Sequence, residues 1–128
     1  MKGRKEFNQW TDLAGMDLSS ARFLRNMEPI PGPNICFLCH QSAEKYLKAF
    51  LVFHNVPPKK THDLIQLSKE CIKLDPDFDS IKNPCADLNV FSIEARYPSS
   101  LTIESNDVDK APEDASAVSA FIVGKLPL

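Results

Sequence analysis

Glycine is scarce in this chain, four residues of 128, and neither a GxGxxG nor a GxxxxGK[ST] string occurs. A backbone that wraps a phosphate closely needs residues without a Cβ, so dinucleotide-fold and P-loop chemistry are excluded. Charge of one sign is equally scarce. Fifteen Lys plus Arg against seventeen Asp plus Glu leave a net charge of -2, which excludes a nucleic-acid coat or a polybasic membrane anchor and confines any nucleic-acid contact to a local patch. Long apolar runs are missing too. The opening MKGRKEFNQWTDL holds no stretch suited to an export signal, and no later stretch reaches the length of a membrane span. The expectation is a soluble, cytoplasmic protein without a membrane partner, in which Cys36, Cys39, Cys71 and Cys85 are reduced thiols.

What the chain does have is ten prolines and a helical apolar period between them. At 128 residues it is long enough for one core without staples, so a single domain over 1–128 is expected, all-α, an up-and-down helical bundle of about five helices. Phe7, Trp10, Leu13, Ala14, Leu18, Ala21 and Leu24 mark a first helix, closed by Pro29, Pro31 and Pro33. Asn34 suits an N-cap for a second helix running to about Asn55. That helix has only a narrow polar stripe of Gln41, Glu44, Lys45 and Lys48, so it is expected to be buried on several sides and to supply a dimer contact. Thr61 is placed to cap a third helix with Asp63 in its first turn, and a short helical turn follows Asp75-Pro76. Asn83-Pro84 reads as the start of a fourth helix ending near Tyr97, since Pro98 disfavours helical geometry before it. Residues 98–109 read as loop, and Pro112 to Lys125 as the last helix.

Several motifs have ordinary explanations. Cys36-Phe37-Leu38-Cys39-His40 matches the CxxCH of covalent haem attachment but lies inside an apolar helix, where cysteine is a small core residue. Cys71 and Cys85 form no second close pair, so no metal and no cofactor is expected. Asp75, Asp77 and Asp79 imitate a calcium loop, yet Ser80 stands where the turn needs Gly and Ala86 where a bidentate Glu closes the site. Glu44 and Lys48 read as an i,i+4 pair on an exposed face.

Three strings remain: QSAEKYLKAFLV at 41–52, THDL at 61–64 and ARYP at 95–98. In that order, between the Trp10–Leu24 helix and an Ala-rich last helix, they resemble the HEPN domain family over nearly the whole chain. The resemblance implies a helical bundle that is usually a homodimer, often beside a small nucleotidyltransferase as half of a two-protein toxin–antitoxin system. Many active members are metal-independent ribonucleases whose Arg and His lie a turn or two apart on one helix and meet their copies across the dimer. Here Arg96 takes the Arg position, but Tyr97 to Ile103 contain no His. The reading is therefore a nucleotide-binding or partner-binding homodimer, with a ribonuclease using Arg96 and Tyr97 as the alternative.

If consecutive helices alternate in direction, the third begins where the second and fourth end. That would gather Lys59, Lys60, Thr61 and His62 near Arg96 and Tyr97, within reach of Lys48, and aim the third helix's N–H groups at a bound phosphate. Arg96 offers a planar fork for phosphate and Tyr97 a stacking face for a base.

Overall fold

The computed structural model describes residues 2–57, 59–92, 98 and 101–128. Among them are five α-helices and one 3-10 segment, and no strand: α1 Lys2–Leu24, α2 Gly32–Phe53, α3 Leu64–Leu74, the 3-10 segment Pro76–Ile81, α4 Lys82–Asn89 and α5 Ser105–Val123. Arg96 and Tyr97, and with them the expected end of the fourth helix, lie outside the described residues.

The second helix is the axis of the fold. From Ile35 to Phe53 none of its side chains is exposed, and Ile35, Cys36, Cys39, Leu47, Ala49 and Leu51 are wholly buried. Its apolar circumference is covered by α1, α3, α4 and α5 of the same chain, so the expected reason for α2 to form a dimer contact is removed. It begins at Gly32 rather than at an Asn34 cap, with Pro33 in its first turn, where a missing N–H costs nothing. A Cβ on Gly32 would stand 3.0 Å from a Val108 methyl and 3.3 Å from an Ile103 methyl, so glycine lets the start of α2 approach α5 without displacing either side chain. At the other end Asn55 turns the chain at φ 62°, while Val56 N–H reaches the Leu51 carbonyl (2.9 Å) and Asn55 N–H the Val52 carbonyl (2.9 Å). These bonds form a Schellman stop built on asparagine, one of the few residue types besides glycine that tolerate the left-handed region.

Helix α1 packs antiparallel to α2. Phe7 meets Phe53 edge-on (5.1 Å), Ser42 Oγ donates to the Ala14 carbonyl (2.8 Å), and Lys45 pairs with Asp17 (2.6 Å). Helix α5 runs back against α1 through Arg22–Ser116 and Arg25–Asp109. Phe78 of the 3-10 segment bridges Phe50 of α2 (4.3 Å) and Phe121 of α5 (4.8 Å), a stack in which each ring pair adds about 1 kcal/mol to plain burial.

Alternation of direction fails at one step. Residues 54–57 and 59–63 return along α2, so that the His62 carbonyl lies beside His40 and Cys71 beside the Leu47 carbonyl. Helix α3 therefore advances in the same sense as α2, and it starts near the middle of α2 rather than at its end. From His40 to Phe53 is about 20 Å of helix at 1.5 Å per residue, which the nine-residue return covers.

Three further boundaries differ from expectation. Asp63, not Thr61, is the N-cap of α3, its Oδ1 accepting from Ile65 N (2.9 Å) and Gln66 N (3.3 Å). Helix α4 starts at Lys82 and stops at Asn89, whose side chain is drawn away to α3. Helix α5 starts at Ser105, two turns before Pro112, with Asp107 Oδ2 accepting from Glu104 N (2.8 Å). Pro112 then sits inside the helix. Its lost hydrogen bond is tolerated because Val108, Ala111, Pro112, Ala115, Val118 and Ile122 form one buried face.

Candidate functional site

Three polar side chains at four-residue spacing, His40, Glu44 and Lys48, lie one above another on α2 and are all buried. An exposed Glu44–Lys48 pair was the expectation, and His62 of the returning chain against Glu44, with Trp10 of α1 against Lys48, overturns it. Lys48 Nζ donates to Glu44 Oε2 (3.0 Å), with 6% and 5% of the two side chains exposed. The Lys48 ammonium also lies 5.7 Å from the centre of the half-buried Trp10 ring, a cation–π contact from α1.

The upper two members grip one residue at two points. His40 Nε2 donates to the His62 carbonyl (3.0 Å), which fixes its proton on that nitrogen because a carbonyl only accepts. Glu44 Oε1 accepts from His62 Nδ1 (2.9 Å). His40 is completely buried, and burial holds its pKa below the ordinary 6.5 against the smaller pull of Glu44. Its Nδ1 has no hydrogen-bond partner among the described residues.

His62 is the ladder's outlet. About half of its side chain (54%) is exposed, so one ring nitrogen is pinned to a buried carboxylate while the other edge faces outward. An imidazole held in this way presents its outer nitrogen to a ligand as a hydrogen-bond donor or acceptor.

The other candidate residues divide. Lys60 is exposed beside His62 in sequence, and Lys59 is exposed but paired with Glu70 (3.1 Å). That pairing holds the Glu70 carboxyl below its ordinary value. Thr61 Oγ1 accepts from Asp63 N (3.1 Å), closing a turn rather than capping α3. Lys48 reaches this edge only through Glu44.

The positive end of α3 is already occupied. Leu64 N donates to Asn89 Oδ1 (2.8 Å), Ile65 N and Gln66 N to Asp63 Oδ1, and Leu67 N to the Asp63 carbonyl (3.1 Å). Asn89 Nδ2 completes the knot by donating to Asp63 Oδ1 (3.2 Å). These four N–H groups therefore do not form the phosphate cradle that alternating helices would have created. Asn89, the last residue of α4, meets the start of α3 through these bonds, whereas Arg96 and Tyr97, expected there, lie outside the described residues.

The remaining motifs resolve structurally. Cys36 and Cys39 are fully buried, and burial pushes both thiols up to about 12. Cys71 and Cys85 are buried free thiols as well. Asp75 accepts from Asp77 N (3.0 Å), and both carboxylates pair with Lys125 (2.8 and 2.7 Å). Among the described residues no three His, Cys, Asp or Glu side chains gather as metal ligands, and no helix is long and apolar enough to cross a membrane.

Sequence reasoning chose His62 for its neighbours in the chain and missed Glu44 and His40, which orient it. The available signal was the spacing of 40, 44 and 48 on a helix too apolar to leave any face in water.

The HEPN domain model matches residues 7–126. Among solved structures, ST0689, an archaeal HEPN homologue, is 23% identical and superposes with a TM-score of 0.72 over 93% of this chain and 96% of that one. TT1696 from Thermus thermophilus is 18% identical, with a TM-score of 0.75 over 94% and 98%. At these identities the likeness is one of fold. No curated protein is significantly similar to the chain.

Proposed function

Because the chain belongs to the HEPN domain family, we propose that its 128 residues act as one homodimeric unit that binds a phosphate-bearing ligand, a nucleotide or an RNA strand. The observation that carries the reading is the half-exposed His62 imidazole, anchored from below by Glu44 in a segment that also bears Lys59 and Lys60. Anchoring removes the entropy cost of ordering that side chain when a ligand arrives. Arg96 and Tyr97 complete the site in this reading, the first as a phosphate fork and the second as a stacking face. The resemblance adds a small nucleotidyltransferase as protein partner in a toxin–antitoxin pair, working in the cytoplasm, where buried thiols stay reduced.

The test is fluorescence anisotropy with labelled single-stranded RNA and with nucleoside triphosphates, in chelator, across a salt series. Binding should weaken as salt rises, and Arg96→Ala and His62→Ala should each weaken it about tenfold, the loss of one charge-assisted hydrogen bond. Failure of the parent chain to bind any of these probes would overturn the reading.

One observation favours catalysis as a second reading. The Glu44–His62 pair (2.9 Å) supplies an oriented imidazole that the sequence following Arg96 does not. In a metal-independent ribonuclease, His62 would take the proton of a 2'-hydroxyl as that oxygen bonds to phosphorus, the P–O5' bond would break with the 5'-oxygen receiving a proton from the imidazolium, and Arg96 and Tyr97 would meet the charge on the phosphate. The same RNA, resolved by length after incubation in chelator, separates the readings. Cleavage abolished by both His62→Asn and Arg96→Ala supports the enzyme, and intact RNA that remains bound supports the binding module.

A further inference from the structure

Helices α3 and α4 run side by side in opposite senses, since the start of α3 is bonded to Asn89 at the end of α4. Between them lies a groove of about 370 Å³. Ile65, Ser68, Lys69 and Ile72 form its α3 wall, at the i, i+3, i+4, i+7 spacing of one helix face. Lys82, Asn83 and Ala86 form the α4 wall, and Asp79 of the 3-10 segment continues it one turn earlier. The space exists because Ser68 and Ala86 are small.

The walls stand in water and the floor does not. Ile65 is 42% exposed, and Lys69, Asp79, Lys82, Asn83 and Ala86 are exposed as well. Ser68 is only 3% exposed, and its hydroxyl has no hydrogen-bond partner among the described residues. Its polar neighbour inside the core is the Cys85 thiol, a weak acceptor. A buried hydroxyl so placed costs free energy until a stronger acceptor reaches it. Positive charge flanks it. Lys69 has no ion-pair partner among the described residues, and Lys82 holds only Asp79, at 3.5 Å with 60% and 66% of the two side chains exposed. Exchanging that loose contact for a better-placed carboxylate costs little.

We propose that this groove takes an acidic amphipathic helix of a protein partner. Two lysines and an unsatisfied donor occupy its middle, with Ile65 and Ala86 toward one end and Ile72 toward the other. The complement repeats the groove's own spacing: an apolar residue, carboxylates three and four positions on, and a second apolar residue at seven, a span of about 10 Å. The carboxylates accept from Lys69, Lys82 and the Ser68 hydroxyl while the apolar pair rests on the two isoleucines. A helix suits the site because rows of side chains at three- and four-residue spacing are what helices interlock, and because α3 and α4 have no free backbone edge to which a strand could add. A nucleic-acid strand would offer phosphate to the lysines but leave the isoleucines unmatched. The groove shares no residue with the His62 edge, so the proposal is independent of the phosphate-binding reading above.

The test titrates the full chain into a fluorescein-labelled, alanine-rich helical peptide of eighteen residues, with leucine at its fifth and twelfth positions and glutamate at its eighth and ninth. A twin peptide carries glutamine in place of both glutamates. Anisotropy should show the glutamate peptide binding about tenfold more tightly at low salt, the advantage of charge-assisted over neutral hydrogen bonds, and the ratio should fall as salt rises. Lys69→Gln with Lys82→Gln should bring the two peptides to the same affinity with helical circular dichroism unchanged. Ser68→Ala reads the floor: since the hydroxyl has no partner in the free chain, its loss should leave the melting temperature unchanged or raised and weaken the glutamate peptide several-fold. Absence of binding by the parent, equal affinity of the two peptides, an unaltered preference in the lysine double variant, or undiminished binding by Ser68→Ala overturns the proposal. Displacement of the peptide by single-stranded RNA at groove lysines, seen as competition that the double variant abolishes, would assign the groove to nucleic acid and overturn it as well.

Discussion

The ladder inside α2 and the ion pairs on the surface of α4 and α5 are made of the same side-chain types, yet they stand on opposite sides of an energetic divide. Lys48 and Glu44 expose 6% and 5% of their side chains, whereas Lys110 and Asp87 expose 55% each. Water competes freely for the second pair and hardly at all for the first. A buried pair contributes little net stability for its own sake, because desolvation offsets the Coulomb gain. Its consequence appears when one partner is removed and the other is left charged in the core. The ladder is thus a rule about which partners must be present together, and the surface pairs impose no such rule.

The sharpest way to break this contrast is Lys48→Met. Glu44 would keep only His62 as a partner, and a loss of about 3 kcal/mol is expected, seen as a fall in melting temperature of roughly 10 °C or more. The double variant Glu44→Gln with Lys48→Met should recover much of that loss, since no unpaired charge remains. Denaturant unfolding of the four species closes the cycle. Equal and additive losses in the two single variants would mean that the pair is not coupled.

Next in size is the knot at the start of α3. Asp63→Ala removes the cap of Ile65 and Gln66 and the acceptor for Asn89, and about 1 to 2 kcal/mol should be lost. Thr61→Ala, the cap expected from sequence, should cost a few tenths of a kcal/mol because its hydroxyl closes a local turn and makes one long, exposed bond to Gln66 Oε1 (3.5 Å). Thermal unfolding of the two variants side by side decides which residue holds the helix.

How much of this was legible is clearest at these particular residues. The prolines and the apolar period located each helix among the described residues, because that signal is local. Burial of Glu44 and Lys48 was not local, since it depends on His62 of the returning chain and on Trp10 of α1. The choice between Thr61 and Asp63 turned on one residue of register in a stretch where both can cap. Pro112 looked like a helix start because the packing that tolerates it comes from α2, far away in the chain. On α1 the pattern was read as one stripe where two exist, and only the packed structure separates Leu13 from Ala14.

The two regions should also separate by pH. His40 has its folded pKa held below 6.5 by burial, so it stays neutral in the fold while the unfolded chain binds the proton first. Stability is then complete above pH 6.5 and declines as pH falls toward the folded value, by at most about 1.4 kcal/mol per pH unit. Glu70 and Asp75, lowered chiefly by hydrogen bonds from Lys59 and Lys125, act in a lower window. Their contribution is present above their ordinary values of 4.5 and 3.8 and is lost as pH falls through the lowered ones. His40→Gln should flatten the upper limb of the stability profile and leave the lower limb in place. Urea midpoints measured from pH 8 down to about pH 2 read both limbs, and an upper limb unchanged in the variant would assign it to another group.

The smallest effect belongs to Lys110→Ala, and it is the most direct test of the comparison. Lys110 donates to Asp87 (2.6 Å) and to Asp114 (2.8 Å), joining α4 to α5. Hydrogen bonds to Asp114 first and then Asp87 raise its pKa well above the usual lysine range. Taken at face value that shift suggests a strong tie. More than half of the Lys110 and Asp87 side chains is in water, however, so solvent and salt screen the attraction, and Asp87 is hydrated when the lysine is gone, while Asp114, 15% exposed, is hydrated only in part. The expected cost is no more than about 0.5 kcal/mol, a melting shift of roughly 2 °C, and it should vanish near 1 M salt, where the Debye length is only ~3 Å. A loss as large and as salt-resistant as that of Lys48→Met would show that the α4–α5 tie belongs with the ladder and that exposure does not draw the line between the two kinds of pair.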